Sequence, residues 1–163
     1  MTTRVALVTG GTGGIGTAIC KRLIDAGHKV ATNYRNEERT RAWQEQMKAA
    51  GYEVTVVRGD VASPEESEAM VREVEQALGP VEILINNAGI TRDGTFHKMT
   101  AEQWQEVVNT NLNSVFNVTR PVINGRFSNS LNVGMMTRVL SLGLSIRWSP
   151  WGCRSGGSVS YGP

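Results

Sequence analysis

The chain of 163 residues is 40% hydrophobic and 20% charged, with a formal net charge of +2. That is the size of one ordinary domain with a globular balance, and no apolar run is long enough for a membrane span. The four arginines of residues 126–163 (Arg126, Arg138, Arg147, Arg154) stand without acids or lysines, which leaves 13 basic and 15 acidic groups, a net of −2, to residues 1–125.

Met1-Thr2-Thr3-Arg4 passes directly into the apolar run Val5-Ala6-Leu7-Val8, which predicts a first buried strand, no signal peptide and a cytoplasmic protein. Next comes Thr9-Gly10-Gly11-Thr12-Gly13-Gly14-Ile15-Gly16, leading into Ile15, Ala18, Ile19 and Leu23 at helical spacing. Glycines between a strand and a helix let the backbone turn tightly and approach a ligand, and the free N–H groups of the helix start favour a phosphate. Gly11, Gly13 and Gly16 satisfy the dinucleotide fingerprint G-x-G-x-x-G, a pattern that gains force from its place at a strand-to-helix junction. Thr9, Gly10, Gly14, Ile15 and Gly16 also satisfy T-G-x-x-x-G-I-G, in which the chain resembles the short-chain dehydrogenases/reductases. The resemblance assigns Gly10, Gly13, Gly14, Ile15 and Gly16 to a nicotinamide dinucleotide.

The first helix is predicted from about Gly14 to Ala26, with Gly27 as its left-handed terminator. Cys20, within it, reads as a small core residue, and with the distant Cys153 it forms neither a disulfide framework nor a metal-ligand cluster. A second strand, Lys29 to Tyr34, ends where an NAD-preferring site places an acid on the ribose hydroxyl, yet the neighbourhood is Asn33, Tyr34, Arg35 and Arg39. Guanidinium groups give a 2′-phosphate charge-assisted hydrogen bonds of roughly 1.5–3 kcal/mol each, so Arg35 and Arg39 predict NADPH/NADP as cofactor.

A polar helix from Glu37 to about Ala50 ends at Gly51, and Tyr52 to Val57 supplies a third strand. Asp60 and Val61 follow it, and the family resemblance makes them cofactor contacts near the adenine. Ser63-Pro64-Glu65-Glu66 reads as a capping box with proline at the first helical position, and Met70, Val71, Val74 and Leu78 form that helix's apolar face. Val81 to Ile85 is a fourth strand. The alternation of strands and helices predicts an α/β fold, a doubly wound parallel sheet of the Rossmann type with strand order 3-2-1-4, incomplete at its C-terminus.

Asn86-Asn87-Ala88-Gly89 is a second short-chain dehydrogenase signature, and with it the resemblance implies cofactor contacts at Asn87, Ala88, Gly89, Ile90 and Thr91. The segments Ile90 to Asp93 and Phe96 to Thr100 resemble acetoacetyl-coenzyme A reductases and the related 3-oxoacyl-carrier-protein reductases, and Val115 to Gly125 resembles the former more. This implies Asp93 at the substrate, an acyl-coenzyme A thioester, with hydride transfer from NADPH. His97 reads as a surface residue. Thr100-Ala101-Glu102-Gln103 is a capping box opening a helix to about Ile123, whose predicted buried stripe is Trp104, Val108, Val115, Val118 and Val122, with Asn111 on it. Asn111 matches the family's asparagine that supports a proton-relay water, and is the one catalytic residue assigned here.

The resemblance is followed to Gly125, so residues 1–125 are expected to be the nucleotide-binding domain and residues 126–163 a Ser-, Gly- and Arg-rich tail. The family's catalytic serine and Tyr-x-x-x-Lys, in which lysine tunes the tyrosine that donates the proton, are not found in this sequence. Thr17, Asp25, Gln44 and Gly94 stand four residues before Lys21, Lys29, Lys48 and Lys98. A change of reading frame or a truncation is the expectation for this tail, with inactivity, an open apolar edge at the fourth strand, and loss of the family's homo-tetramer through the Thr100 helix and the next. Trp148, Trp151 and the tail arginines carry no RNA-binding pattern, so no nucleic-acid partner is expected.

Overall fold

The computed structural model describes residues 2–128, 138–141 and 144–147. Strands β1 (Val5–Val8), β2 (Lys29–Tyr34), β3 (Thr55–Arg58) and β4 (Val81–Asn86) alternate with helices α1 (Gly14–Asp25), α2 (Glu37–Ala49) and α3 (Pro64–Leu78). Beyond β4 lie a 3-10 turn (Phe96–Lys98), α4 (Ala101–Val108), a π-helical turn (Asn109–Asn113) and α5 (Ser114–Ser128), then β5 (Arg138–Ser141) and β6 (Leu144–Arg147).

The six strands form one sheet in the order β3-β2-β1-β4-β5-β6. The first five pair in parallel, and β6 returns antiparallel to β5. The predicted 3-2-1-4 order is therefore present. The expectation of an open β4 edge is corrected, because β4 pairs with β5 from Ile83↔Arg138 to Asn86↔Ser141. Arg138 to Ser141 alternate little in hydropathy and lie in the atypical tail, so periodicity gave no sign of a strand there.

Strand alternation divides β1 between two cores. Val5 and Leu7 join Met70, Val71 and Val74 of α3 and Val118 and Val122 of α5 on one face. Ala6 and Val8 join Cys20 and Met47 on the other, with Ile19, Leu23 and Trp43 packed against them. Ile15 and Ala18 face outward instead of joining that core, Ile15 being 67% exposed. Burial of Cys20 holds its thiol up, from 9.0 to about 11.

Local chemistry shifts several element ends. Tyr52 does not begin β3, because its N–H is used to close α2 on the Met47 carbonyl at 2.9 Å, with Gly51 left-handed at φ +84°. The capping box at α3 is half formed. Ser63 Oγ accepts the Glu66 N–H at 3.2 Å, but the Glu66 carboxylate accepts the Asp60 N–H at 2.9 Å rather than turning back to Ser63. At α4 the reciprocal Thr100–Gln103 box is complete.

The single helix expected from Thr100 to Ile123 is interrupted by the π turn, which adds residues to one turn and rotates everything beyond it. Trp104 is consequently 54% exposed, while Val118 and Val122 are fully buried. Asn111 is exposed and does not lie on a buried stripe. Among the described residues, no helix is long and apolar enough to cross a membrane.

Candidate functional site

The site begins at the carboxyl ends of β1 and β4, which the parallel register brings side by side. Thr9 directly follows β1 and is 2% exposed. Its Oγ1 accepts the backbone N–H groups of both Asn87 and Ala88 at 3.0 Å. The Asn87 carboxamide answers by donating to the Thr9 carbonyl at 2.9 Å and the Gly10 carbonyl at 3.1 Å. The glycine loop and the Asn86–Gly89 segment thus form one mouth.

Gly10 turns left-handed at φ +66°, where a Cβ would come within 2.9 Å of Ala88 Cα. Gly16 is equally constrained, since a Cβ there would stand 2.6 Å from Gly11 Cα and 2.9 Å from Asn87 Nδ2. Gly13 and Gly14 differ. A Cβ on Gly14 would meet nothing within 4 Å, and one on Gly13 only the Gly10 carbonyl at 3.5 Å. Internal packing therefore accounts for Gly10 and Gly16, whereas the bare surface at Gly13 and Gly14 faces a cleft of about 350 Å³.

The start of α1 has no side-chain cap and no acid in its first turn, whereas α2 and α3 are capped by Asn36 and Ser63 and begin with paired glutamates. Its N–H groups and positive dipole end are left for an anion. The Thr17 hydroxyl holds the loop from behind, donating to the Gly13 carbonyl at 2.7 Å and accepting the Trp43 Nε1–H at 2.9 Å. A backbone cradle with open space before it, an unneutralised helix start and a guanidinium at the rim fit a dinucleotide phosphate.

Of the residues expected from sequence, Gly10, Gly13, Gly14, Ile15, Gly16, Arg35, Val61, Asn87, Ala88, Gly89 and Ile90 line this cleft. Asp60 stands just behind it, its carboxylate 3.5 Å from the Arg35 guanidinium and accepting the Ala62 N–H at 2.9 Å. Arg39, in the first turn of α2, is off the cleft wall and exposed, with its backbone N–H on the Asn36 cap. Thr91 and Asp93 are exposed on the irregular segment that leaves the mouth, their side chains 3.5 Å apart. Arg92 between them is fastened to Glu106 at 2.7 Å.

Asn111 is also off the cleft wall, yet it acts on a residue that lines it. The carboxamide accepts the Ile90 N–H at 2.8 Å and donates to the Ile90 carbonyl at 2.9 Å. Four lining residues were missed by the sequence reading: Thr12, Asn33, Tyr34 and Thr110. Asn33 and Tyr34 carried a signal, their position at the end of β2. Thr110 carried none, because the π turn that presents it has no periodicity of its own.

Residues 4–133 match the short chain dehydrogenase family. The chain is 51% identical over 124 residues to an acetoacetyl-CoA reductase of Allochromatium vinosum, covering 75% of this chain and 50% of that protein. It is 53% identical over 123 residues to an acetoacetyl-CoA reductase of Rhizobium meliloti, covering 75% and 49%. The chain thus spans about half the length of the curated relatives it matches. Among solved structures, a variant of actinorhodin polyketide ketoreductase with NADPH superposes with a TM-score of 0.76 at 38% identity, over 85% of this chain and 52% of that one. With the motifs, the sheet order and the mouth between β1 and β4 in agreement, this chain belongs to the short-chain dehydrogenase family.

Proposed function

We propose that this chain is the NADP(H)-binding half of a cytoplasmic 3-oxoacyl-thioester reductase whose substrate is acetoacetyl-coenzyme A and whose product is the (R)-3-hydroxybutyryl thioester used in polyhydroxybutyrate synthesis. The observation that carries the reading is the cleft in which bare Gly13 and Gly14, the open start of α1, Arg35 and the Asn87–Ile90 segment converge. The names and identities of the relatives point to the same substrate class.

When bound, NADPH supplies the hydride. The residues of this chain do the rest of the binding half. The N–H groups of the α1 start take the pyrophosphate, and Val61 offers an apolar wall to the adenine. Arg35 takes the 2′-phosphate together with Arg39. The existing Arg35–Asp60 pair is 3.5 Å long with the arginine side chain 59% exposed, an ion pair of about 0–1 kcal/mol that a dianionic phosphate readily replaces. Asp93, exposed beyond the mouth, meets the thioester side.

The proton required at the substrate carbonyl oxygen has no donor of the family pattern in this sequence, since no Tyr-x-x-x-Lys is present. General acid catalysis is worth about 10²–10⁴-fold, so the chain as written binds nucleotide without useful turnover. The experiment is a pair of measurements on the purified chain, with intact mass verified. NADPH titration should show saturable binding stronger than that of NADH, and charge reversal of Arg35 and Arg39 should erase the difference. Loss of nicotinamide absorbance with acetoacetyl-coenzyme A should be negligible. Equal affinity for the two nucleotides overturns the NADPH assignment, and turnover of about 1 per second or more overturns the inactivity.

A further inference from the structure

Asn33 is 6% exposed at the end of β2 and lines the nucleotide cleft. Its Oδ1 accepts the Gly10 N–H at 2.8 Å, and its Nδ2 donates to the Gly59 carbonyl at 2.9 Å. We infer that Asn33 is a positioning residue for the nucleotide, which locks the glycine loop to the β3 end and so fixes the distance between the phosphate cradle and the Val61 wall. This rests on the nucleotide site proposed above.

The geometry gives the lock two sides. The Gly10 N–H is held by Asn33 while the Gly10 carbonyl is held by Asn87, so the loop residue with the left-handed backbone is fixed at both of its polar groups. On the far side, Gly59 is itself fixed, donating its N–H to the Tyr34 carbonyl at 3.0 Å. A movement of Gly10 therefore has to break a bond to β2 or to the β4 loop. The carboxamide satisfies both partners of residue 33 through two different atoms. It must accept from an N–H and donate to a carbonyl at once, whereas an aspartate would turn a carboxylate oxygen onto the Gly59 carbonyl.

The same position, roughly 20 residues beyond the glycines, is where an acid would meet a ribose hydroxyl in an NAD site. Here its side chain is committed to the backbone on both ends. Affinity and discrimination are consequently divided between neighbours: Asn33 acts on any dinucleotide alike, and Arg35 acts only on a 2′-phosphate.

The test is isothermal titration of the full chain and of its Asn33→Ala and Asn33→Ser variants, which add no charge, with NADPH and with NADH, reading stoichiometry and Kd separately. The expected result is a Kd raised about tenfold or more for both nucleotides, a loss of one buried bond's worth of affinity. The NADPH/NADH ratio and the stoichiometry of the folded protein should stay as they were. Asn33→Ser is the milder change and supplies the reading where Asn33→Ala does not fold. A Kd within twofold of the unmodified protein overturns the inference, as does lowered stoichiometry at unchanged Kd, which marks a merely structural role. A changed ratio with NADH binding intact also overturns it, because it assigns Asn33 to the 2′-phosphate. Failure of the unmodified chain to bind either nucleotide is the distinct outcome in which the underlying nucleotide site falls and takes the inference with it.

Discussion

Asn111 and Ile90 are joined at two points, with the carboxamide accepting the Ile90 N–H at 2.8 Å and donating to its carbonyl at 2.9 Å. This is the pairing one strand residue gives another, made by a side chain across 21 residues, and it fastens the π turn to the segment leaving β4. Replacing Asn111 by alanine should cost about 1–2 kcal/mol, since the bonds are exposed and water takes up part of the loss. Asn111→Asp keeps the acceptor and loses the donor, and should fall between. Urea unfolding midpoints of the three proteins check the order.

Two glycines of the same motif should respond with opposite signs. Gly14→Ala adds a methyl into empty space on a helix and should leave stability unchanged or raise it by up to about 1 kcal/mol, while crowding the cleft and weakening nucleotide binding. Gly16→Ala drives a methyl into the backbone of Gly10 and Gly11 and should destabilise by about 1–3 kcal/mol. Thermal melting and nucleotide titration of both variants separate packing from function.

Thr9→Val should be more costly than its size suggests. The two N–H groups that share Thr9 Oγ1 would be left without it at a buried strand end, a loss of roughly 2–4 kcal/mol. Thr9→Ser retains the oxygen and should lose only the methyl. Denaturant unfolding of the two variants distinguishes the hydroxyl from the bulk.

Cys20 links stability to alkaline pH. Burial raises its folded pKa from 9.0 to about 11, so between these values the unfolded chain releases a proton that the folded chain retains. Its contribution is complete below pH 9 and declines as pH rises toward 11, by roughly 2–3 kcal/mol in all. Cys20→Ala should be less stable than the parent at neutral pH, and the gap should narrow between pH 9 and 11. Unfolding midpoints across that interval provide the check.

The parallel core was readable because strands covered on both faces are rich in apolar residues: the wholly apolar Val5 to Val8 and the mixed run Lys29 to Tyr34 both have the bounds their composition indicates. The mouth was readable because close backbone approach demands small residues, which leave a pattern at Thr9 to Gly16 and at Asn86 to Gly89. What was hidden depends on geometry that adjacent residues do not encode. A π turn leaves the hydrophobic stripe intact in composition and displaces it in angle, so Trp104 and Asn111 were assigned to the wrong side. The clamp at Asn33 was equally hidden, since its partners Gly10 and Gly59 lie 23 and 26 residues away in the chain. β5 required a partner, β4, that only the folded sheet supplies.

The mouth is tied by carboxamides: Asn33 to Gly10 and Gly59, Asn87 to Thr9 and Gly10, Asn111 to Ile90, and Asn117 from α5 to the carbonyls of Val61 and Ala62. Each tether is electrically neutral. Ionised carboxylates in the same places would cancel the positive potential of the α1 start, and would loosen on protonation. Amides leave that potential intact, do not titrate, and carry no charge for salt to screen. The rigidity of the cleft is thereby uncoupled from its electrostatics, and ionic strength is left to act on the attraction between the arginines and an arriving anion, not on the vessel that receives it.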